Sequence, residues 1–145
     1  MIKINPMTHE HIDAVYVIEC NTFAIPWTRA DFERELSNKL SIYFVAMYKD
    51  CIVGYCGMWH VVNEGHITNI AVSQGYRRLG IGDMLLDALV CEAHKRQMIG
   101  LTLEVRVGNE CAMSLYNKHG FKIEGLRKNY YADTKEDAAI MWKFL

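Results

Sequence analysis

The sequence predicts an α+β fold: a mixed, mostly antiparallel sheet of about seven strands flanked by about four helices, with one parallel βαβ crossover. Three observations carry that expectation. Apolar residues alternate with polar ones at the period of a strand, as in Leu101, Leu103, Val105 and Val107 between Thr102, Glu104 and Arg106. Elsewhere they recur at helical spacing, as in Ile81, Met84, Leu85, Ala88 and Leu89, which fall at i, i+3, i+4, i+7 and i+8. A β-branched run at 67–72 precedes that helix, so strand, helix and strand form a crossover whose two strands run parallel.

The remaining elements follow in order. Ile2 and Ile4 alternate with polar residues and suggest a short first strand. Thr8 is placed to cap a helix, with His11 where a capping box would carry Glu. Ile12, Val15, Tyr16 and Glu19 carry that helix to about Phe23. Pro26-Trp27 breaks it, and Thr28 with Asp31 three residues on starts a second short helix through Phe32, Glu35 and Leu36. Residues 42–48 and 52–61 form a hairpin about Lys49-Asp50, with Gly54 and Gly57 inside it marking a twist, a bulge or a close backbone approach. Asn63-Glu64-Gly65 reads as a turn into the strand at 66–72. The long helix after it should end near Gln97, with Gly100 as its stop. Asn109 opens another helix through Ala112, Leu115 and Tyr116, and Gly120 suits its C′ position. Residues 121–126 and 139–145 read as a closing hairpin.

At 145 residues and 51% hydrophobic, the chain is expected to form a single domain, residues 1–145, with a sizeable core. A net charge of −1 argues against a general nucleic-acid binder. No apolar run reaches the roughly 18 residues needed to span a bilayer, and the first residues carry no apolar signal core. The expectation is therefore a cytoplasmic protein with no membrane and no direct nucleic-acid partner. The five cysteines are odd in number and include no Cys-x-x-Cys pair, which predicts reduced, mostly buried thiols. His9 and His11 stand on different faces of a helix, so no metal site is expected.

The chemistry begins at the turn Arg77-Arg78-Leu79-Gly80-Ile81-Gly82, between a strand and an amphipathic helix. Glycines at a helix mouth leave backbone N–H groups uncovered, and with the helix dipole they suit a phosphate or pyrophosphate. The turn lacks the third glycine of the dinucleotide fingerprint and the Gly-Lys-Ser/Thr end of a P-loop. It does match Arg/Gln-x-x-Gly-x-Gly/Ala through Arg77, Gly80 and Gly82. In that setting it resembles the pyrophosphate loop of the GCN5-related N-acetyltransferases. Asn69-Ile70-Ala71-Val72 resembles the family strand whose backbone holds the acetyl-thioester and pantetheine arm. Leu103-Glu104-Val105-Arg106, Asn109, Ala112, Leu115-Tyr116 and Gly120-Phe121 resemble the family's second half. Phe23, Pro26-Trp27-Thr28, Phe32, Asn129-Tyr130-Tyr131 and Asp137-Ala138 resemble the RimI branch, the ribosomal-protein alanine N-acetyltransferases.

The resemblance implies an acyltransferase that uses acetyl-CoA as co-substrate and needs no metal. It implies transfer to the N-terminal alanine of a small-subunit ribosomal protein, the eighteenth. Cofactor contacts are expected from Ile70, Ala71, Val72, Arg77, Arg78, Leu79, Gly80, Ile81, Gly82, Asp83 and Asn109. Asp83 departs from relatives with a basic residue there; an acid near a pyrophosphate is unfavourable, and Arg77 and Arg78 are expected to offset it. An α-amine has a pKa near 8 and must lose a proton before it can attack. The resemblance gives Glu104 as the base and Tyr116 as the acid for the departing thiolate. A strand sets Glu104 on the face opposite Leu103 and Val105; read without the resemblance, it is a surface acid paired with Arg106 or a neighbouring strand. Tyr116 shares a helix side with Ala112 and Leu115, so its plain reading is a core aromatic. Trp27, Tyr130 and Tyr131 are placed to wall an acceptor groove, or else to fill core. Transfer to lysine side chains or a small amine, and a non-catalytic acetyl-CoA-binding module, stand as alternatives.

Overall fold

The computed structural model covers residues 1–145. Its elements run β1 (Ile2–Pro6), α1 (Ile12–Thr22), α2 (Arg29–Ser37), β2 (Ser41–Tyr48), β3 (Cys51–Val61), β4 (Glu64–Val72), α3 (Ile81–Lys95), β5 (Gly100–Arg106), α4 (Glu110–Lys118), β6 (Lys122–Arg127) and β7 (Ala138–Phe144). The order along the chain is the one the periodicities predict. The sheet order is β1-β2-β3-β4-β5-β7-β6, antiparallel throughout except for the parallel pair β4–β5. The closing hairpin therefore folds back so that its second strand, β7, lies beside β5 and leaves β6 at the edge.

Two cores cover the two faces of the sheet. On one, Ile81, Leu85, Leu86 and Leu89 of α3 and Tyr116 of α4 pack on Leu101, Leu103, Val105 and Met141. On the other, Ile12, Val15 and Ile18 of α1 and Phe32 of α2 pack on Tyr43, Val45, Tyr55 and Ala71.

The helix ends explain themselves locally. His11 Nδ1 accepts the Thr8 N–H at 3.0 Å and so replaces the Glu of a capping box ahead of α1. Thr28 and Asp31 form the reciprocal box at α2, with Asp31 N–H to Thr28 Oγ1 at 3.1 Å and Thr28 N–H to Asp31 Oδ2 at 2.8 Å. At the end of α4, Gly120 takes φ +89 and closes a Schellman motif, with Phe121 N–H on Tyr116 C=O and Gly120 N–H on Asn117 C=O, both at 3.0 Å.

Three expectations need correction. The end of α3 is made not by Gly100 but by Gln97, left-handed at φ +59, with Met98 N–H on Ala93 C=O at 3.0 Å. The turn before β4 is Val62-Asn63, and Glu64 and Gly65 already belong to the strand. Both misplaced glycines serve close packing instead: a Cβ on Gly65 would lie 2.4 Å from Leu101 Cδ2, and one on Gly100 would lie 3.0 Å from the Lys143 carbonyl. The thiols are not mostly buried. Cys20, Cys51, Cys91 and Cys111 are exposed, on helix outer faces or at a strand start, and Cys56 alone lies in the core.

Candidate active site

The site begins with a break in the sheet. β4 and β5 pair only through Glu64–Gly100, Gly65–Leu101 and His66–Thr102, although both strands continue well beyond. The cause lies in β4. Gly57 pairs with Asn69 and Met58 with Ile67, so Thr68 is an extra residue, a bulge that bends the strand. Past it the two strands diverge and leave a wedge between unpaired edges. Ser73 N–H bonds to Val53 C=O at 2.8 Å, so by alternation Ala71 turns its main chain to β3, while Ile70 and Val72 turn theirs into the wedge. Two of the three residues expected to hold a ligand by backbone are thus oriented for it; Ala71 is not.

Beyond β4 the chain makes a 3₁₀ turn at Gln74–Tyr76 and enters the glycine loop. Arg77 Nε donates to Val72 C=O at 3.1 Å, so this side chain braces the strand end. Arg78 and Gly80 take φ +65 and +80, and Gly80 is the N-cap of α3. The main-chain N–H groups of Arg78, Leu79, Gly80, Ile81, Gly82 and Asp83 find no acceptor within the chain. Six successive free donors at a helix mouth, with the exposed loop around them, fit a pyrophosphate. The two glycines differ in role: Gly80 supplies the left-handed backbone, while a Cβ on Gly82 would meet Leu115 Cδ2 of α4 at 3.4 Å, an ordinary contact, so packing against α4 does not itself demand a glycine there.

Asp83 is neutralised, but not by the expected residues. Its Oδ1 lies 2.9 Å from Nζ of Lys118, the last residue of α4, and 2.7 Å from Nε2 of His119, its C-cap, while Arg77 and Arg78 take no part. Hydrogen bonds from Lys118 and then His119 hold its carboxyl below the usual range. Only its backbone N–H faces the loop. Asn109 caps α4, its Oδ1 accepting the Ala112 N–H at 3.1 Å.

Glu104 and Tyr116 approach the wedge from opposite faces of the sheet. Leu103 and Val105 point into the α3–α4 core, so Glu104 points to the α1–α2 side, as its strand position predicts. Its nearest cation is Arg127 Nε of β6 at 3.7 Å. Arg106 is engaged elsewhere: it reaches Asp133 Oδ2 and Thr134 Oγ1, both at 3.0 Å, and stacks 3.9 Å from the Tyr131 ring centroid. Arg106 thereby ties the β6–β7 loop, which carries Tyr130 and Tyr131, to β5. Its strand period with Glu104 was visible in the sequence, but a partner some 27 residues away was not.

Tyr116 is 6% exposed, and its ring packs on Phe121 with centroids 5.7 Å apart. That pair is the C3–C″ contact of the Schellman motif, so the helix end itself fixes the phenol. Its Oη bonds to nothing in the chain, and no buried side-chain oxygen lacks a partner, so the hydroxyl is the part that reaches an opening. Burial pushes the phenol up from its ordinary value and keeps it protonated. Tyr131, whose phenol is also raised by burial, lies within electrostatic range of both Tyr116 and Glu104.

The expected groove aromatics part company. Tyr130 is exposed and meets Tyr131 edge-on at 5.0 Å. Trp27 is half-buried, stacked on Phe32 at 5.5 Å and packed against the second core, so its ring is mainly structural. A cavity of about 300 Å³, lined by Glu35, Ser41, Phe44, Glu92 and Arg96 among others, lies outside this set of residues.

A split mixed sheet, a glycine loop with six free N–H groups and this helix order define an acyl-transfer fold. The chain belongs to the acetyltransferase (GNAT) family, whose model matches residues 12–121. It is accordingly an acyltransferase. It is 41% identical over 140 residues to the putative ribosomal protein bS18-alanine N-acetyltransferase of Bacillus subtilis, covering 96% of this chain and 93% of that one. Among solved structures, the ribosomal-protein-S18-alanine N-acetyltransferase from Escherichia coli superposes with a TM-score of 0.90 at 33% identity, covering 98% and 92% of the two chains. The PaiA N-acetyltransferase from Thermoplasma acidophilum, solved with coenzyme A, shares the fold at a TM-score of 0.84 and 17% identity, covering 100% and 99%.

Proposed function

We propose that this chain acetylates the α-amine of an N-terminal alanine, that of ribosomal protein bS18, with acetyl-CoA as donor and in the cytoplasm. The observation that carries the reading is the wedge between β4 and β5, with Glu104 on one face of the sheet and Tyr116 on the other. Acetyl-CoA supplies the activated acetyl thioester. The free N–H groups from Arg78 to Asp83 receive its pyrophosphate, and Ile70 and Val72 offer main-chain groups to the pantetheine arm and thioester oxygen. Asn109 adds a contact beyond its capping role. Glu104, directly or through a water, takes a proton from the α-ammonium on the α1–α2 side. The amine nitrogen forms the new bond to the acetyl carbon and sheds its second proton to solvent, the carbon–sulfur bond breaks, and Tyr116 gives its proton to the departing sulfur from the α3–α4 side and regains one from solvent. Tyr130 and Tyr131, held by Arg106, line the acceptor approach.

Peptides with a free N-terminal alanine, compared with the same peptides blocked at the N-terminus, test the reading. Free peptides should be acetylated and blocked ones not. Transfer to internal lysine alone would overturn it.

A further inference from the structure

Helix α1 presents Ile12, Val15 and Ile18 to the second core, and the residue beside them on that stripe is Glu19, with 2% of its surface exposed. No cation meets this carboxylate; three neutral donors do. Tyr55 Oη of β3 and Asn69 Nδ2 of β4, at 3.5 Å, donate to Oε1, and the main-chain N–H of Trp27 donates to Oε2 at 2.9 Å. Burial, and then the charge of Glu19, raise the Tyr55 phenol and keep it a donor. Asn69 Oδ1 in turn accepts from Thr68 Oγ1 at 2.7 Å and Tyr43 Oη at 3.2 Å. Thr68 is the bulge that opens the sheet. One carboxylate thus joins the opening of the wedge to the connection at 23–28.

That connection lies on the α1–α2 face, the face of Glu104, with Ala24 and Ile25 exposed. Ala24 and Ile25 donate no main-chain hydrogen bond within the chain, and Pro26 has none to give. Phe23 N–H closes α1 on Glu19 C=O at 3.0 Å and Thr28 N–H opens α2 on Asp31 Oδ2 at 2.8 Å; between those helix ends the Trp27 N–H is the main-chain group that is held, and what holds it is an acceptor-only group. A carboxylate takes all three donors with no hydrogen of its own to place.

We propose that Glu19 is a positioning residue for the acceptor: through the Trp27 main chain it fixes the 23–28 connection against bulged β4, giving the incoming N-terminus a preformed wall. This rests on the N-terminal acetyltransferase reading above. Glu19 touches neither substrate, so its signature is a split between the two KM values.

The test is steady-state kinetics with an N-terminal alanine peptide and acetyl-CoA, alongside thermal melts. Glu19→Met, which keeps length but removes both acceptors, should raise the peptide KM about tenfold, with acetyl-CoA KM within about twofold. Glu19→Gln keeps one accepting oxygen for Trp27 and should raise it at most about threefold. Tyr55→Phe removes a donor but leaves the Trp27 bond; it should lower Tm and leave the peptide KM within about twofold. A folded Glu19→Met with unchanged peptide KM, or with both KM values raised together, overturns the proposal, as does a Tyr55→Phe that reproduces the KM effect. Should Glu19→Met fail to fold, amide exchange on the unaltered chain decides: the Trp27 amide should exchange about 100-fold more slowly than those of Ala24 and Ile25, and equal rates overturn the proposal. A native chain that acetylates no N-terminal alanine would instead sink the function proposed above, and the Trp27 exchange rate would still judge Glu19.

Discussion

Tyr116→Phe separates chemistry from structure more cleanly than any other change in this chain. The phenyl ring keeps its contact with Phe121 at 5.7 Å and its place in the core. The deleted hydroxyl has no partner within the chain, so no donor or acceptor is orphaned. Stability should therefore move by no more than about 0.5 kcal/mol, or about 2 °C in Tm. Catalysis should not escape so lightly. A proton donor to a leaving group is typically worth 10²–10⁴ in rate, which is about 2.7–5.4 kcal/mol of barrier. The assay is kcat and both KM values by coenzyme A release, with a thermal melt on the same preparation. Because burial raises the phenol above its ordinary value of 10.0, the native enzyme should also show no alkaline limb in kcat from this group below about pH 10. A variant with native Tm and kcat within about threefold would refute the acid role, and so would a rate loss that merely follows a collapse in Tm.

Glu104→Gln should lower kcat about 10²-fold or more while costing at most about 1 kcal/mol of stability, since its one cationic partner is Arg127, 3.7 Å away at a half-exposed site; an unchanged kcat removes Glu104 as base. Gly80→Ala forces a side chain into φ +80, so Tm should fall by about 2–8 °C, the equivalent of roughly 1–2 kcal/mol, and titration calorimetry should show weaker acetyl-CoA binding; native affinity would contradict the loop assignment. The Asp83 carboxyl is held low by Lys118 and His119, so its stabilisation is complete above the unfolded carboxyl pKa and is lost as pH falls through the folded value. Asp83→Asn should therefore melt below the native chain at pH 6, and the two should converge below about pH 4; a gap that widens on acidification would reverse the sign.

Much of this was written in local chemistry. Alternation marked the strands, the Thr28–Asp31 box marked α2, and the Tyr116-to-Phe121 stretch with Gly120 marked the end of α4. The glycine loop and Glu104's face followed from spacing alone. Other features depended on partners distant in sequence. Nothing in the period of residues 122–144 says that β7 rather than β6 lies against β5. Gly65 and Gly100 look like turn residues until Leu101 and Lys143 are seen against them. Gln97 at φ +59 does a glycine's work because the Schellman bonds around it are made. Asp83 looked ill-placed beside a pyrophosphate until α4 brought Lys118 and His119 to it. Glu19 had a signal, an acid on the buried stripe of α1, but the donors that explain it come from β3, β4 and a loop.

The most direct measurement of the central claim is mass spectrometry of protein N-termini from cells with and without this protein. The N-terminal alanine of ribosomal protein bS18 should be acetylated when the chain is present, unmodified when it is absent, and unmodified when only the Glu104→Gln, Tyr116→Phe double variant is supplied. An N-terminus whose acetylation is the same in all three would contradict that claim.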